Sequence, residues 1–131
     1  MILVDSSVWI DYFNGADLPH TQKLEEFLGK KEIVVFDVIM TEVLQGFRLK
    51  RDFEATLNVL DSFRFVSVGG RDTAVQSARY FVYLRSLGFT IRKTADTLIA
   101  TKCILSKFEL LHNDRDFEPF EKHLGLCSIK Y

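Results

Sequence analysis

MILVDSSVWIDYF, residues 1–13, changes period within itself, and that change sets the fold class. Ile2 to Val4 is a short run of apolar β-formers that ends in an acid. Val8, Trp9, Tyr12 and Phe13 then recur at helical spacing, with Ser6 or Ser7 available as the helix cap. A strand with no polar alternation is one buried on both faces, and a helix following at once is the start of a parallel β/α unit. Asn14-Gly15 stops that helix, and Pro19 begins another in which Leu24, Phe27 and Leu28 share a face.

The same grammar runs down the rest of the chain. Ile33 to Phe36 reads as a second strand, DVIMTEVLQGFRL (residues 37–49) as a helix, and Asp52 to about Phe63 as another. Phe65 to Val68 reads as a third strand closed by Gly69-Gly70, and Asp72 to Leu87 as a long helix closed by Gly88, with Phe81 on a core face beside Ala74 and Ala78. Thr94 is the expected N-cap of a helix to about Lys107. Glu109 to Leu111 reads as a fourth strand and Cys127 to Ile129 as a short fifth. The expected fold is therefore α/β, a three-layer α/β/α arrangement around a central parallel sheet of four to five strands.

Composition agrees with one domain over residues 1–131. The chain is 47% hydrophobic, 13% aromatic and low in proline and glycine, enough apolar surface to offset the entropy of ordering. Seventeen basic side chains stand against eighteen acidic ones, so no bulk positive field draws nucleic acid, and any such contact must be arranged locally. Cys103 and Cys127 lie far apart with no C-x-x-C pair, which reads as buried reduced thiols rather than a disulfide or a zinc site. No apolar run approaches the roughly 18 residues of a membrane span. The N-terminal segment lacks the basic leader of a signal peptide and carries Asp5 and Asp11, so a soluble, cytoplasmic protein is expected.

In an open parallel sheet ligands bind beyond the carboxyl ends of the strands. Asp5 follows the first strand, and Asp114 and Asp116 follow the fourth, so all three are expected at one edge; a helix cap and a turn are the plain structural readings of the same residues. Glu42 interrupts a stripe that is otherwise apolar or small (Val38, Ile39, Gly46, Leu49). Asp96 shares a helix face with Ala100 and Cys103 near the positive end of the helix dipole. Buried carboxylates without partners give up their charge, so several in one place call for a cation between them. Hard oxygen donors select Mg²⁺ or Mn²⁺, and such ions activate water and neutralise charge in phosphodiester cleavage.

The segments VDSSVWIDYF (4–13), TEVLQG (41–46), TADTLIATK (94–102) and LLHNDRDF (110–117) together resemble the four motifs of PIN-domain ribonucleases, and among these the VapC toxins of type II toxin–antitoxin pairs. The resemblance covers essentially the whole chain. It implies a PIN-like fold, a metal-dependent endoribonuclease acting on single-stranded or structured RNA, and an acidic quartet of Asp5, Glu42, Asp96 and Asp114 holding the metal, with Asp116 as a fifth member that competes with Asp114 for the closer position. It also implies a homodimer and a VapB-like antitoxin. Ser6 and Ser7 match the hydroxyls that support the first acid, and Asn113 could orient a neighbouring carboxylate. His112 is expected to be structural, and His20 and His123 to lie on the surface.

The basic groups nearest in sequence to these acids are Arg92 and Lys93, and then Arg48, Lys50 and Arg51. They are the candidates for phosphate contacts, against the plain reading of a solvated face. Two other functions fit parts of the pattern. A non-toxin PIN nuclease would carry the same acids. A receiver-type phosphoacceptor module shares the length and the strand-end acids, but needs a second acid adjoining Asp5, where this chain has Ser6.

Overall fold

The computed structural model describes residues 1–131. In chain order the elements are β1 (Ile2–Val4), α1 (Ser6–Phe13), α2 (Pro19–Phe27), β2 (Ile33–Phe36), α3 (Asp37–Leu44), α4 (Lys50–Leu60), β3 (Arg64–Val66), α5 (Arg71–Ser86), α6 (Thr94–Ser106), β4 (Glu109–Leu111), a 3₁₀ turn (Arg115–Phe117) and α7 (Glu118–Leu124). The four strands pair in the order β3-β2-β1-β4, all parallel, with Leu3 opposite both Val34 and Leu110. Helices cover both faces, giving three α/β/α layers.

This order places the site. The chain runs from β1 to β2 to β3 in one direction, then returns to lay β4 on the other side of β1. The direction of winding therefore reverses between β1 and β4, and their carboxyl ends leave a crevice there. Asp5 closes β1 and donates its backbone N–H to Leu111 O of β4 at 2.9 Å, so the two strand ends are tied where the crevice opens.

All seven residues of β1 and β2 are buried, as their unbroken apolar runs require, and they form the centre of one cluster of 25 buried residues. Trp9 lies fully buried, stacked on Phe13 and tilted against Phe63. The edge strand β3 is mostly exposed; its shortness and the charge on Arg64 limit pairing with other chains.

Several local expectations change. Asp5, not Ser6 or Ser7, caps α1: its carboxylate accepts the Ser7 N–H, and the shorter hydroxyls do not make that bond. Thr94 is the first helical residue of α6, with Lys93 at the cap and no side-chain cap bond. The fifth strand reduces to a single parallel bridge between Leu110 and Ser128, flanked by Leu110 N–H to Cys127 O and Ile129 N–H to Leu110 O, both 2.9 Å; Gly125 turns the chain in the left-handed region just before it. On α5 the buried residues are Thr73, Ser77 and Leu84, while Ala74 and Ala78 face outward. Phe81 is half-buried on the flank, because size alone does not say which stripe of a weakly amphipathic helix meets the core. His20 is buried, its Nε2 2.7 Å from Asp11 Oδ2, and Cys127 is exposed.

Candidate metal centre

Four elements deliver acids to the crevice. Asp5 comes from the end of β1, Glu42 from α3, Asp96 from the first turn of α6, and Asp114 and Asp116 from the turn after β4. Asp96, Asp114 and Asp116 each offer one carboxylate oxygen such that the three lie within 4.8 Å of one another. Asp5 and Glu42 fall outside that tight group, yet their charges are felt across it: Asp5 acts on both Glu42 and Asp96, and Asp114 acts on Asp5.

Burial is the main reason these carboxyls hold protons more tightly than usual. The Asp96 pKa is pushed up to about 7 by burial and then by the neighbouring Asp5 and Asp114. Asp5 is raised by burial against the opposing pull of the Ser7 hydrogen bonds, and Glu42 by burial and then by Asp5. Among these side chains one oxygen stands apart: Asp96 Oδ2 is buried and has no hydrogen-bond partner at all. Such an atom costs on the order of 1–3 kcal/mol left as it is. A cation satisfies it, and the donor set, carboxylate oxygens alone, suits a hard divalent ion. The residues present therefore fit a metal.

The supporting hydrogen bonds run between the elements. Ser7 Oγ donates to Asp5 Oδ2 at 2.6 Å and accepts the Asn113 N–H at 3.1 Å, joining the ends of β1 and β4. Ser6 Oγ donates to Glu42 Oε1 at 3.3 Å. Asn113 thus reaches an acid through Ser7 rather than orienting one directly. His112 holds the Asp114 corner: its Nδ1 accepts the Asp114 N–H at 3.1 Å, which leaves Nε2 to donate to Glu121 Oε2 at 3.3 Å. Asp114 Oδ1 in turn accepts the Asp116 N–H at 2.9 Å.

Of the basic residues, Arg92 reaches the acids. Its Nη2 lies 3.3 and 3.4 Å from the two oxygens of Asp116. Lys93 is exposed but close enough for its charge to favour ionisation of Glu42 and Asp96. Arg48 is exposed in the connection between α3 and α4, and Arg51 pairs with its neighbour Asp52 at 3.6 Å. Tyr131 was not among the expected site residues. Its hydroxyl hydrogen-bonds at the Asn113 corner, and nothing in the pattern around it marks it, because the partner lies far away in sequence.

With this geometry in view, comparison with known proteins is decisive for the family. The PIN domain model matches residues 2–122. The chain belongs to the PIN domain family. A receiver-type module is thereby set aside. Ribonuclease VapC11 of Mycobacterium tuberculosis is 28% identical over 134 residues, covering 100% of this chain and 99% of that protein. VapBC2 from Rickettsia felis, solved bound to a promoter DNA fragment, shares the fold with a TM-score of 0.79 at 17% identity, covering 100% of this chain and 99% of that one. FitAcB from Neisseria gonorrhoeae shares it with a TM-score of 0.77 at 14% identity, over 99% and 97% of the two chains. No helix of this PIN domain is long and apolar enough to cross a membrane.

Proposed function

We propose that this PIN domain is a metal-dependent endoribonuclease of the VapC kind, the toxin of a type II toxin–antitoxin pair, acting on single-stranded or structured RNA. The observation that carries the reading is the meeting of Asp96, Asp114 and Asp116 around a buried, unpartnered Asp96 oxygen at the point where the sheet reverses its winding. The full-length likeness to proteins named as VapC ribonucleases supports the activity, and the solved VapBC complexes support a VapB-like antitoxin as partner; a homodimer is what the family likeness implies.

Asp5, Glu42, Asp96, Asp114 and Asp116 together form the set that holds Mg²⁺ or Mn²⁺. When bound, the ion supplies an acidified water and neutralises charge on the phosphodiester. The chain's own residues do the rest. Ser7 and His112 hold Asp5 and Asp114 in place, and Ser6 restrains the half-buried Glu42; Glu42 or Asp114 would take the proton of the attacking water. Arg92, exposed and hinged on Asp116, and Lys93 beside it are the groups positioned to meet phosphate oxygens, so a near-neutral protein can still seat a polyanion. Arg48, exposed between α3 and α4, is a weaker candidate for a phosphate contact.

The test uses purified protein and a mixed-sequence RNA. Cleavage is expected with Mg²⁺ or Mn²⁺, to stop on chelation, and to be absent in Asp96→Asn; induced expression is expected to arrest growth, with relief by Asp5→Ala. Cleavage that survives chelation and the Asp96→Asn change would reject the metal-dependent reading. Harmless expression of an active nuclease would point instead to RNA processing without toxicity.

A further inference from the structure

The stretch after α7 lies beyond the part matched by the PIN family model, yet it reaches the residues beside the site. After Gly125 the chain turns back and lays one parallel bridge on the outer edge of β4, Leu110 against Ser128, eighteen positions apart. Carried forward at the same offset, that register brings Tyr131 alongside Asn113, the residue before Asp114. The side chains meet there: the Tyr131 hydroxyl donates toward His112 O at 3.0 Å and Asn113 Oδ1 at 3.2 Å. Its ring also packs at 5.8 Å against His20, which is buried and anchored on Asp11. The tyrosine is thus held from behind by a fixed imidazole and reaches forward to the corner that carries Asp114.

From that corner the restraint passes on by two routes. The Asn113 N–H is bound by Ser7 Oγ, which holds Asp5, and the His112 ring binds the Asp114 N–H. Residues 112 and 113 therefore set the direction in which Asp114 leaves β4, and the one hydroxyl hydrogen of Tyr131 is shared between acceptors on both of them from outside the sheet. Burial, with Glu121 close by, pushes the phenol above its ordinary value, so it remains a donor throughout the neutral range.

We propose that Tyr131 is a positioning residue of the metal centre, its hydroxyl holding the His112–Asn113 corner so that Asp114 faces Asp96. This rests on the metal-centre reading above. Its content is specific to the hydroxyl, since a merely packed or base-stacking tyrosine would act through its ring, and the residue is 51% exposed.

Mn²⁺ binding measured directly at a temperature well below melting, together with RNA cleavage kinetics, separates these roles in Tyr131→Phe and Tyr131→Ala. Outer hydrogen-bond partners of metal ligands typically change metal affinity by about 10–100-fold, and this hydroxyl is one bond further out, so about a three- to ten-fold weaker Mn²⁺ affinity is expected in Tyr131→Phe, with kcat reduced and KM for RNA unchanged. Tyr131→Ala should match Tyr131→Phe in metal affinity. Tyr131→Phe binding Mn²⁺ as the wild type does would overturn the proposal, as would a raised KM confined to Tyr131→Ala, the mark of a stacking ring. Wild-type protein that binds no Mn²⁺ would overturn the metal-centre reading and this inference with it.

Discussion

Asp96 sits in a first helical turn, where the backbone favours an anion, yet the residue is only 5% exposed and its carboxyl feels Asp5 and Asp114. Those two effects oppose, and burial with repulsion wins. Because its pKa rises from 3.8 to about 7 on folding, the folded chain binds the proton more tightly than the unfolded one. Its penalty in metal-free protein is therefore absent below about pH 4, grows as pH rises toward 7 and is level above it. Asp96→Asn removes the penalty. In chelator, urea unfolding should find Asp96→Asn more stable than wild type by about 1–3 kcal/mol at pH 8 and nearly equal at pH 4; a less stable variant at pH 8 would mean that the anion is already satisfied without metal. Ser7 works in the opposite sense, with one hydroxyl serving both Asp5 and the Asn113 N–H. Ser7→Ala should cost about 1–2 kcal/mol in the same assay, more than Ser6→Ala, whose single bond to Glu42 is long. The types of these residues were legible in the sequence, as an acid followed by two serines. Which serine serves which acid was not, since that depends on α3 lying beside α1.

At the level of elements, α6 carries Asp96 at one end and strain at the other. Lys107 closes the helix with φ 58° and ψ 39°, the left-handed conformation that a side chain makes unfavourable. Lys107→Gly should therefore raise stability by about 0.5–1 kcal/mol, read as a higher urea midpoint, and leave Mn²⁺ binding unchanged because the change is a full helix length from Asp96. The connection from α5 to α6 places Arg92 on Asp116, a pair whose cationic side is 73% exposed. A counter-charge resting on a proposed ligand competes with a metal and is at hand for phosphate. Arg92→Ala is expected to tighten Mn²⁺ binding by about two- to five-fold and to raise KM for RNA by about three- to ten-fold, with a shallower salt dependence; unchanged values in titration and kinetics would mean that the pair is only a surface contact. Element types and order were readable because a period of two or 3.6 is local. Their ends were less so: the third strand begins at Arg64, and the expected fifth is one bridge, because pairing partners rather than propensity decide where a strand exists.

The whole molecule is a compromise between a dry sheet and a cluster of anions set at its mouth. Anything that binds the folded acids and not the unfolded chain stabilises by mass action, about 2.7 kcal/mol at a hundredfold excess over Kd. Thermal melts should therefore show a rise of about 10 °C on adding saturating Mn²⁺ to chelator-treated protein, a smaller rise with Tyr131→Phe at subsaturating metal, and none with Asp96→Asn. A melting temperature indifferent to divalent ions would remove the metal from the account. By itself the chain already determined a parallel α/β sheet and the presence of acids after its first and fourth strands, because hydrophobic period and strand-end position are written locally. Only the folded structure decided that β4 returns beside β1, that Asp116 joins Asp96 and Asp114 while Asp5 and Glu42 stand just outside, and that Tyr131 meets Asn113. Those are distances between residues remote in sequence, and they follow from how helices and strands pack together, which no local pattern encodes.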